Sequence, residues 1–294
     1  MMKKVLIFGG SGFIGQAIKN HLIALGYEVF LCSRSAKKGD VLFSLEESNL
    51  RGSCFEDFDI WIHLAGENIQ GWRWTRRKKR KILFSRLLTN ERLRQIYLHL
   101  KNPPQQILIA SGVGYYSPDS HELIDEKTPK GDGFLSQVAS KVEEGWQLFP
   151  IQPIFLRIAP VLASDGGVIE RLKIFFKLKC LLYFSSSNNY FPYITIDQFV
   201  DSLLFLFGKN ASGPINFVSK KPLKQKELFL DILGSTPWLS INIPKWFIQV
   251  ALGQMGEETV SVNQKVIPQK LIDLGFQFDD SFYLDRLKNK MKSG

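Results

Sequence analysis

Cysteine is scarce in this chain of 294 residues, and long apolar runs are missing. Its three cysteines, Cys32, Cys54 and Cys180, lack the spacing of metal ligands, which excludes a disulfide framework and a zinc site and favours the reducing cytoplasm. No apolar run reaches about 18 residues, so no membrane-spanning helix is expected. Glycines interrupt the first apolar segment too early for a signal peptide. These absences indicate a cytoplasmic protein without membrane segment or metal.

Most of the chain also lacks an excess of positive or negative charge. The net charge is +10, but Arg73 to Arg94 alone contains ten basic residues and one acid. The remainder is therefore nearly neutral. Hydrophobic residues make up 45% and charged residues 22%, which is ordinary for a globular protein and excludes a disordered chain.

Short apolar strands alternate with helical patterns through the first half of the chain. This alternation predicts an α/β fold with a Rossmann-like, doubly wound parallel sheet. Beyond it we expect a helix over Ile169–Leu182, another over Ile196–Phe207 and a strand over Ile215–Val218. From about Ser219 the pattern turns mostly helical, so we predict a main domain over 1–218 and a smaller, mostly helical C-terminal domain over 219–294. The predicted earlier elements are strands Lys4–Phe8, Glu28–Cys32, Ile60–Leu64, Gln106–Ala110 and Ile154–Ile158, and helices Phe13–Leu25, Lys78–Leu100 and Leu135–Leu148.

A glycine-rich segment lies between the first predicted strand and the first helix. Gly9 allows a tight turn, Gly12 lets the backbone approach a pyrophosphate, and Gly15 permits close packing of helix on sheet. The helix N-terminus offers free N–H groups to phosphates. The segment therefore predicts a dinucleotide site rather than a turn without a ligand. It reads Gly9, Gly10, Ser11, Gly12, Phe13, Ile14, Gly15.

The end of the second strand has no acidic residue. Proteins that prefer NAD usually have an acid there, which binds the ribose 2′-hydroxyl. This chain has Ser33 and Arg34 instead. A guanidinium suits a 2′-phosphate, so these two residues predict a preference for NADP(H) over NAD(H). The alternative is a solvated arginine in a loop.

Further motifs follow in order along nearly the whole chain. They are His63–Ile69, Trp74-Thr75, Ser85-Arg86, Ser111–Tyr116, Leu156-Arg157, Asp165–Gly167, Gly213–Asn216, Val266–Pro268 and Gly275–Phe278. With the glycine turn, they make the chain resemble the extended short-chain dehydrogenase/reductase superfamily. Within it, the chain is most similar to the branch of epimerase family proteins, which are NAD-dependent epimerase/dehydratase-like and carry a small C-terminal domain.

This resemblance implies further residues of a cofactor site. It places Leu64 and Ala65 at the end of the strand Ile60–Leu64, with Gly66 next to them, against the cofactor. It also places Arg86 beside the cofactor. Val161 would lie in the loop that passes the nicotinamide. The resemblance also implies a small-molecule substrate, nucleotide-linked or anionic.

The tyrosine that this superfamily uses for proton transfer is missing. The expected helix has Lys141 but Gln137 four residues earlier, and an amide exchanges no proton at neutral pH. No tyrosine occurs between Tyr116 and Tyr183. The catalytic candidates are therefore Ser111, near the position of the superfamily's serine, and Tyr116.

Each of these candidates has an alternative role. Tyr115 and Tyr116 are equally consistent with packing beneath a cleft, and Lys141 with a solvated helix position. Glu67 is either a proton donor or part of a structural loop. His63 lies within an apolar strand, which favours a core histidine.

Six bases in a row, from Arg76 to Lys81, open the long helix. They extend over more than a full turn and cannot all face one ligand. The run favours a charged helix face that is solvated. One alternative is a face of Arg77, Lys81 and Ser85 that points toward the cofactor cleft and steers an anionic substrate, with the other bases solvated. A nucleic-acid or acidic-membrane patch is a further alternative, but no RNA-binding motif accompanies the run, which argues against nucleic acid.

Two classes of function remain open. One is an NADP-dependent epimerase or oxidoreductase, favoured by aromatic residues such as Trp72 and Trp74 on the expected substrate side. The other is a protein that binds NADP(H) without turnover, a sensor or scaffold, favoured by the missing tyrosine.

Overall fold

The computed structural model describes residues 3–33, 41–42 and 55–293 of the chain. Its strands are β1 (Lys4–Phe8), β2 (Glu28–Ser33), β3 (Val41–Leu42), β4 (Ile60–His63), β5 (Gln106–Gly112), β6 (Asp119–Ile124), β7 (Ile154–Ile158), β8 (Val161–Ala163), β9 (Cys180–Phe184), β10 (Tyr190–Phe191), β11 (Ile194–Thr195), β12 (Gly213–Phe217), β13 (Leu223–Lys224), β14 (Leu239–Ile243) and β15 (Asn263–Val266). Its helices are α1 (Phe13–Ala24), α2 (Arg76–Leu98), α3 (Phe134–Glu144), α4 (Gly167–Lys177), α5 (Ile196–Phe205), α6 (Gln225–Leu233), α7 (Lys245–Leu252), α8 (Gln254–Thr259), α9 (Gln269–Asp273) and α10 (Asp280–Ser293).

Seven strands form the central sheet, in the order β3-β2-β1-β4-β5-β7-β12. All neighbouring pairs are parallel. The strand order reverses at β1, which has β2 on one side and β4 on the other. Ligands of such sheets bind beyond the carboxyl ends of the strands at this reversal. The predicted doubly wound parallel sheet is confirmed, and its order places the ends of β1 and β4 at the expected ligand position.

Side chains of the sheet alternate between two buried layers, as the period of a β-strand requires. Val5 and Ile7 lie in a core cluster together with residues of α1 and α5. Leu6 and Phe8 point to the opposite face and pack with residues of α2 and α3. All four side chains are buried. The four residues of β1 from Val5 to Phe8 are therefore all apolar, because helices cover both faces of the sheet.

The second half of the chain adds small sheets that join distant segments. β9 pairs with β14 and β6 with β15, both in parallel. The prediction of a helix over Ile169–Leu182 is wrong at its end. Helix α4 stops at Lys177, Lys179 adopts a φ of 50°, and Cys180–Phe184 is a strand. Pairing with β14 decides this segment, and its apolar pattern alone did not distinguish helix from strand.

A carboxylate from the C-terminal region fixes the start of α3. The side chain of Glu258 accepts hydrogen bonds from the N–H groups of Phe134, at 2.9 Å, and Leu135, at 2.7 Å. It thereby caps a helix whose own N-cap, Gly133, has no side chain. The position of α3 at the edge of the sheet therefore depends on the C-terminal region.

Candidate functional site

The glycine turn follows β1 directly and packs against the loop after β4. Gly9 has a φ of 76°, a conformation that favours glycine, and its N–H donates to the carbonyl of Cys32 at 3.2 Å. A Cβ on Gly9 would lie 2.8 Å from the Cα of Ala65. The structure therefore brings together the turn and the Leu64–Gly66 loop that the sequence assigned to one site.

Gly12 and Gly15 have different surroundings although both belong to the motif. A Cβ on Gly15 would lie 2.5 Å from the Cα of Gly10, so this glycine is required by packing. A Cβ on Gly12 would meet a single atom within 4 Å, the carbonyl oxygen of Gly9 at 3.5 Å. Gly12 therefore borders open space at the N-terminus of α1.

The first turn of α1 is suited to an anion. Its N-cap is Gly12, no side chain caps the helix, and no acidic residue lies in the first turn. The N–H groups at the start of the helix and the positive end of its dipole therefore face the open space. Ser11, Phe13 and Ile14 surround this position in the chain. A diphosphate fits here, since its charge and its hydrogen-bond acceptors complement the helix terminus.

Phe13 connects the glycine turn to the loop after β7. A Cβ on Gly166 would lie 2.4 Å from the ring of Phe13, so Gly166 lies directly against this ring. Val161 begins the short strand β8 in the same loop and is buried. Phe13, after β1, and the segment that begins at Val161, after β7, therefore lie close together, and their contact with a cofactor stays a prediction.

Arg86 lies beneath the loop after β4. Its Nη1 donates to the carbonyls of Glu67 and Ile82, both at 3.0 Å, and Gly66 packs against the guanidinium. Burial lowers the pKa of Arg86. The structure therefore gives Arg86 the role of supporting the loop from below.

Glu67 extends from this loop toward α2. Its carboxylate accepts a hydrogen bond from Lys78 Nζ at 2.7 Å, and its N–H donates to Ser85 Oγ at 2.9 Å. The side chain of Glu67 is 38% exposed. A partly exposed carboxyl group thus lies directly after the residues that contact the glycine turn.

His63 is a core residue, as its apolar strand predicted. It is 2% exposed and its ring lies edge-on to Phe8, at 6.2 Å between centroids. Burial, and to a smaller extent the charge of Arg86, lowers its pKa to about 3. Its Nδ1 has no hydrogen-bond partner among residues 3–33, 41–42 and 55–293. His63 is therefore neutral at physiological pH.

Ser33 closes β2 at the same edge of the sheet, next to Cys32, whose carbonyl binds the glycine turn. Arg34, the predicted partner of a 2′-phosphate, lies outside the described residues. The preference for NADP(H) thus remains a prediction from the sequence.

The end of β5 is occupied by a buried network around Arg157. The guanidinium of Arg157 donates to both carboxylate oxygens of Glu143, at 3.0 and 2.6 Å, and Ser111 Oγ donates to the same carboxylate at 2.8 Å. The guanidinium carbon of Arg157 also lies 3.5 Å from the centroid of the Tyr115 ring. Glu143 holds the pKa of Arg157 above its ordinary value. The hydroxyl of Ser111 therefore binds a carboxylate that is already paired with Arg157.

Tyr116 belongs to the same network. Its hydroxyl accepts a hydrogen bond from Arg157 Nη1 at 2.8 Å and donates to Asn216 Oδ1 at 2.7 Å. The residue is 1% exposed, and burial raises its pKa to about 12. A hydroxyl with both partners inside the protein has no free position for a substrate. This geometry argues against the predicted proton transfer by Tyr116 and favours the packing role.

The network includes residues that the motif analysis did not single out as functional. Asn216 and Glu126 join β12 to the loop after β6, since the N–H of Asn216 donates to Glu126 Oε1 at 2.9 Å. One signal was present in the sequence. A charged residue, Arg157, interrupts the otherwise apolar strand β7, and buried charges are normally paired.

The face of α3 that carries Gln137 and Lys141 is exposed. Its opposite side is buried, including Val138 and Val142. The two tryptophans expected on the substrate side also differ in exposure. Trp72 is 73% exposed, whereas Trp74 is 8% exposed.

The basic run at the start of α2 is divided differently from our expectation. Lys78 contacts Glu67, and Ser85 lies beneath the same loop. Arg77 and Lys81 point away from it and line a groove with Arg76, Arg80 and Phe84. The alternative of a common face of Arg77, Lys81 and Ser85 toward the cleft is therefore wrong, since Lys78 is the residue of the run that reaches the loop.

The fold and this edge define a doubly wound α/β protein with a dinucleotide-type glycine turn. Residues 5–133 match the model of the NAD dependent epimerase/dehydratase family, and residues 243–281 match a domain of unknown function, DUF1731. Epimerase family protein SDR39U1 of Mus musculus is 30% identical over 284 residues, which cover 94% of this chain and 95% of that protein. The chain therefore belongs to the NAD dependent epimerase/dehydratase family, with the epimerase family proteins.

Solved structures support this assignment. The crystal structure of human epimerase family protein SDR39U1 (isoform 2) with NADPH matches with a TM-score of 0.87 at 28% identity, over 97% of this chain and 99% of that chain. The nucleoside-diphosphate sugar epimerase from Corynebacterium glutamicum matches with a TM-score of 0.78 at 23% identity, over 99% of this chain and 58% of that chain. The second likeness concerns the fold alone.

Within the described ranges, no helix is both long enough and apolar enough to cross a membrane.

Proposed function

We propose that this chain binds NADP(H) at the glycine turn and exchanges hydride with a small, anionic or nucleotide-linked substrate. The observation that carries the proposal is the open space at Gly12, next to an uncapped helix N-terminus. The NADPH in the related human structure supports the choice of cofactor. When bound, the nicotinamide supplies or accepts the hydride, and the protein has to position it and handle a proton.

Different residues at this edge of the sheet would contact different parts of the cofactor. The turn from Gly9 to Gly15 would hold the pyrophosphate by backbone N–H groups, and Ser33 and Arg34 the 2′-phosphate. The Leu64–Gly66 loop would contact the cofactor, with Arg86 supporting it from below. Val161 would border the nicotinamide side. The packing of Ala65 on Gly9 and of Gly166 on Phe13 supports this arrangement.

We propose Glu67 as the group that exchanges the proton, in place of Tyr116 and Ser111. Glu67 follows the Leu64–Gly66 loop, is partly exposed, and is held by Lys78. The carboxylate would act as a base in the direction of substrate oxidation. Gln137 cannot do this, because an amide exchanges no proton near neutral pH.

We retain the division of the chain into 1–218 and 219–294 as a proposal. Its support is the sheet itself, since β12, the last strand in the central sheet, ends at Phe217. The second region would form the substrate side, as its contact from Glu258 to the start of α3 suggests.

Titration calorimetry with NADPH and NADH tests the cofactor. We expect NADPH to bind roughly 10–150-fold more tightly, as a charge-assisted contact of about 1.5–3 kcal/mol predicts. The variant Arg34→Ala should remove this preference, and Arg92→Ala, on the distal half of α2, should retain it. Equal affinities for both cofactors would contradict the proposal.

Hydride exchange from stereospecifically labelled NADPH, with a pool of metabolites, tests catalysis and supplies a substrate. With that substrate, Glu67→Gln should reduce turnover about 10²–10⁴-fold while NADPH affinity stays unchanged. Tyr116→Phe should retain turnover, because its hydroxyl is used inside the protein. Full turnover in Glu67→Gln together with a loss of turnover in Tyr116→Phe would instead assign the proton transfer to Tyr116.

A second candidate is a sensor or scaffold that binds NADP(H) without turnover. Gln137 at the tyrosine position and the buried hydroxyl of Tyr116 favour it. NADPH affinity with no exchange across a broad metabolite pool would support this candidate over the enzyme.

A further inference from the structure

The six consecutive bases at the start of α2 divide into two sets. Lys78 and Lys79 contact the protein, since Lys78 binds Glu67, and Lys79 donates to Gln254 and lies 5.4 Å from the Phe134 ring centroid. The other four line an open groove together with Phe84. We call this surface the basic face. It comprises Arg76, Arg77, Arg80 and Lys81, together with Phe84.

The charges of the basic face are not neutralised by the protein. Within the part of the chain that the structure describes, no acidic side chain lies within 4 Å of the basic groups of these four residues. At 100° per residue, Arg76 and Arg80 form one row along the helix and Arg77 and Lys81 another. Two rows of like charge therefore lie side by side.

This arrangement is unfavourable for the isolated helix. Like charges four residues apart repel each other, and cations in the first turn oppose the helix dipole. The first turn of α2 contains no acidic residue that would compensate. An anionic partner would relieve both terms, so the face is suited to binding a surface with several negative charges.

Apolar side chains emerge on the same side of the helix. Phe84 is 46% exposed and continues the row of Arg76 and Arg80 along the helix, and Leu88, one turn further in the same row, is 53% exposed. Cations that flank exposed aromatic and aliphatic residues are typical of helices that lie on anionic membranes.

Other partners fit this combination less well. A nucleic acid would satisfy the cations but offers no apolar phase for Leu88. A second copy of the chain would bring the same four cations against the first set. We propose that the basic face is a peripheral binding surface for membranes that contain anionic phospholipids, with Phe84 and Leu88 entering the interface.

Co-sedimentation with vesicles tests this proposal. The full chain should bind vesicles of phosphatidylcholine mixed with phosphatidylserine and should not bind phosphatidylcholine alone. Changing Arg76, Arg77, Arg80 and Lys81 together to Gln should weaken binding on the order of a hundred-fold or more, since each cation near an anionic surface contributes about a fivefold factor. Phe84→Ala with Leu88→Ala should weaken it about tenfold or more, because apolar area no longer enters the interface.

A matched control removes the same charge elsewhere. Lys127, Lys177, Lys220 and Lys221 are exposed, and their joint change to Gln should weaken vesicle binding far less than the change in the basic face. Thermal unfolding and NADPH affinity should stay near wild type in all variants, which separates this surface from the proposed cofactor site.

Three results would overturn the proposal. One is equal loss in the control and basic-face variants. Another is an affinity for vesicles that stays the same in the variant with Phe84→Ala and Leu88→Ala. The third is absence of vesicle binding, whether accompanied by salt-sensitive binding to DNA that the basic-face change removes, or by a dimer that the Phe84 and Leu88 changes dissociate.

Discussion

The glycine turn after β1 and the end of β5 lie at one edge of the sheet but differ in how they use their polar groups. At the turn, Gly12 borders open space and the first N–H groups of α1 have no capping side chain. At the end of β5, Ser111 and Tyr116 direct their hydroxyls into the buried network of Arg157. The helix N-terminus of the first region faces open space, whereas the hydroxyls of the second region are hydrogen-bonded within the protein.

This difference bears on the two catalytic candidates, Ser111 and Tyr116. Both follow a strand whose carboxyl end faces the cleft, so position alone suggested a role in chemistry. A hydroxyl acts on a substrate when it has a free donor or acceptor position, and the two partners of Tyr116 use both.

The largest effect is expected from Arg157→Leu. It leaves the carboxylate of Glu143 buried without its partner, which costs about 3–5 kcal/mol of unfolding free energy. Urea unfolding measures it. The exposed Arg171 provides the control, because Arg171→Leu should change stability by less than about 0.5 kcal/mol. Similar stabilities for both variants would contradict a buried, closed network.

Gly12→Val should weaken NADPH binding by at least about 10²-fold, since backbone hydrogen bonds to phosphate each contribute about 1.5–3 kcal/mol. The fold should persist, because the added side chain enters open space. Gly15→Val is the matched change at a packed position and should lower the melting temperature, since its Cβ would lie 2.5 Å from the Cα of Gly10. If Gly12→Val retains wild-type affinity, the phosphate site lies elsewhere.

Tyr116→Phe should reduce stability by about 1–3 kcal/mol, because it leaves Asn216 Oδ1 and one donor of Arg157 buried without their partner. NADPH affinity should remain within a few tenths of a kcal/mol. Chemical denaturation and calorimetry on the same preparation separate the two effects. Lost cofactor binding with unchanged stability would place Tyr116 in the open region after all.

Over a single pH unit just below 6.5, the smallest effect is expected from the titration of His63. The unfolded imidazole binds a proton below its ordinary pKa of 6.5, whereas the buried one does so at about 3. In this window the unfolded state binds more protons, so stability falls as pH decreases, by up to about 1.4 kcal/mol per pH unit. His63→Leu should flatten this slope, and His121→Gln, at an exposed position, should not. Unchanged slopes for both variants would contradict the burial of a neutral His63.

Much of the architecture was accessible from local patterns. The alternation of apolar strands and helices predicted the parallel sheet, and the spacing of Gly9, Gly12 and Gly15 predicted the turn with its three separate roles. These features depend on the conformation and size of residues close together in the chain. The bounds of α5, Ile196–Phe205, lie within the predicted 196–207 for the same reason.

The features that were missed depend on contacts between distant segments. Cys180–Phe184 is a strand because β14 pairs with it, and Glu258 caps α3 from the C-terminal region. The environment of Tyr116 and the two-sided division of the basic run likewise depend on what packs nearby. The amino-acid order therefore determined the sheet, the glycine turn and the charge of α2, because these follow from local spacing. Tertiary packing decided which hydroxyls and cations are free, because burial and pairing depend on residues far away in the chain.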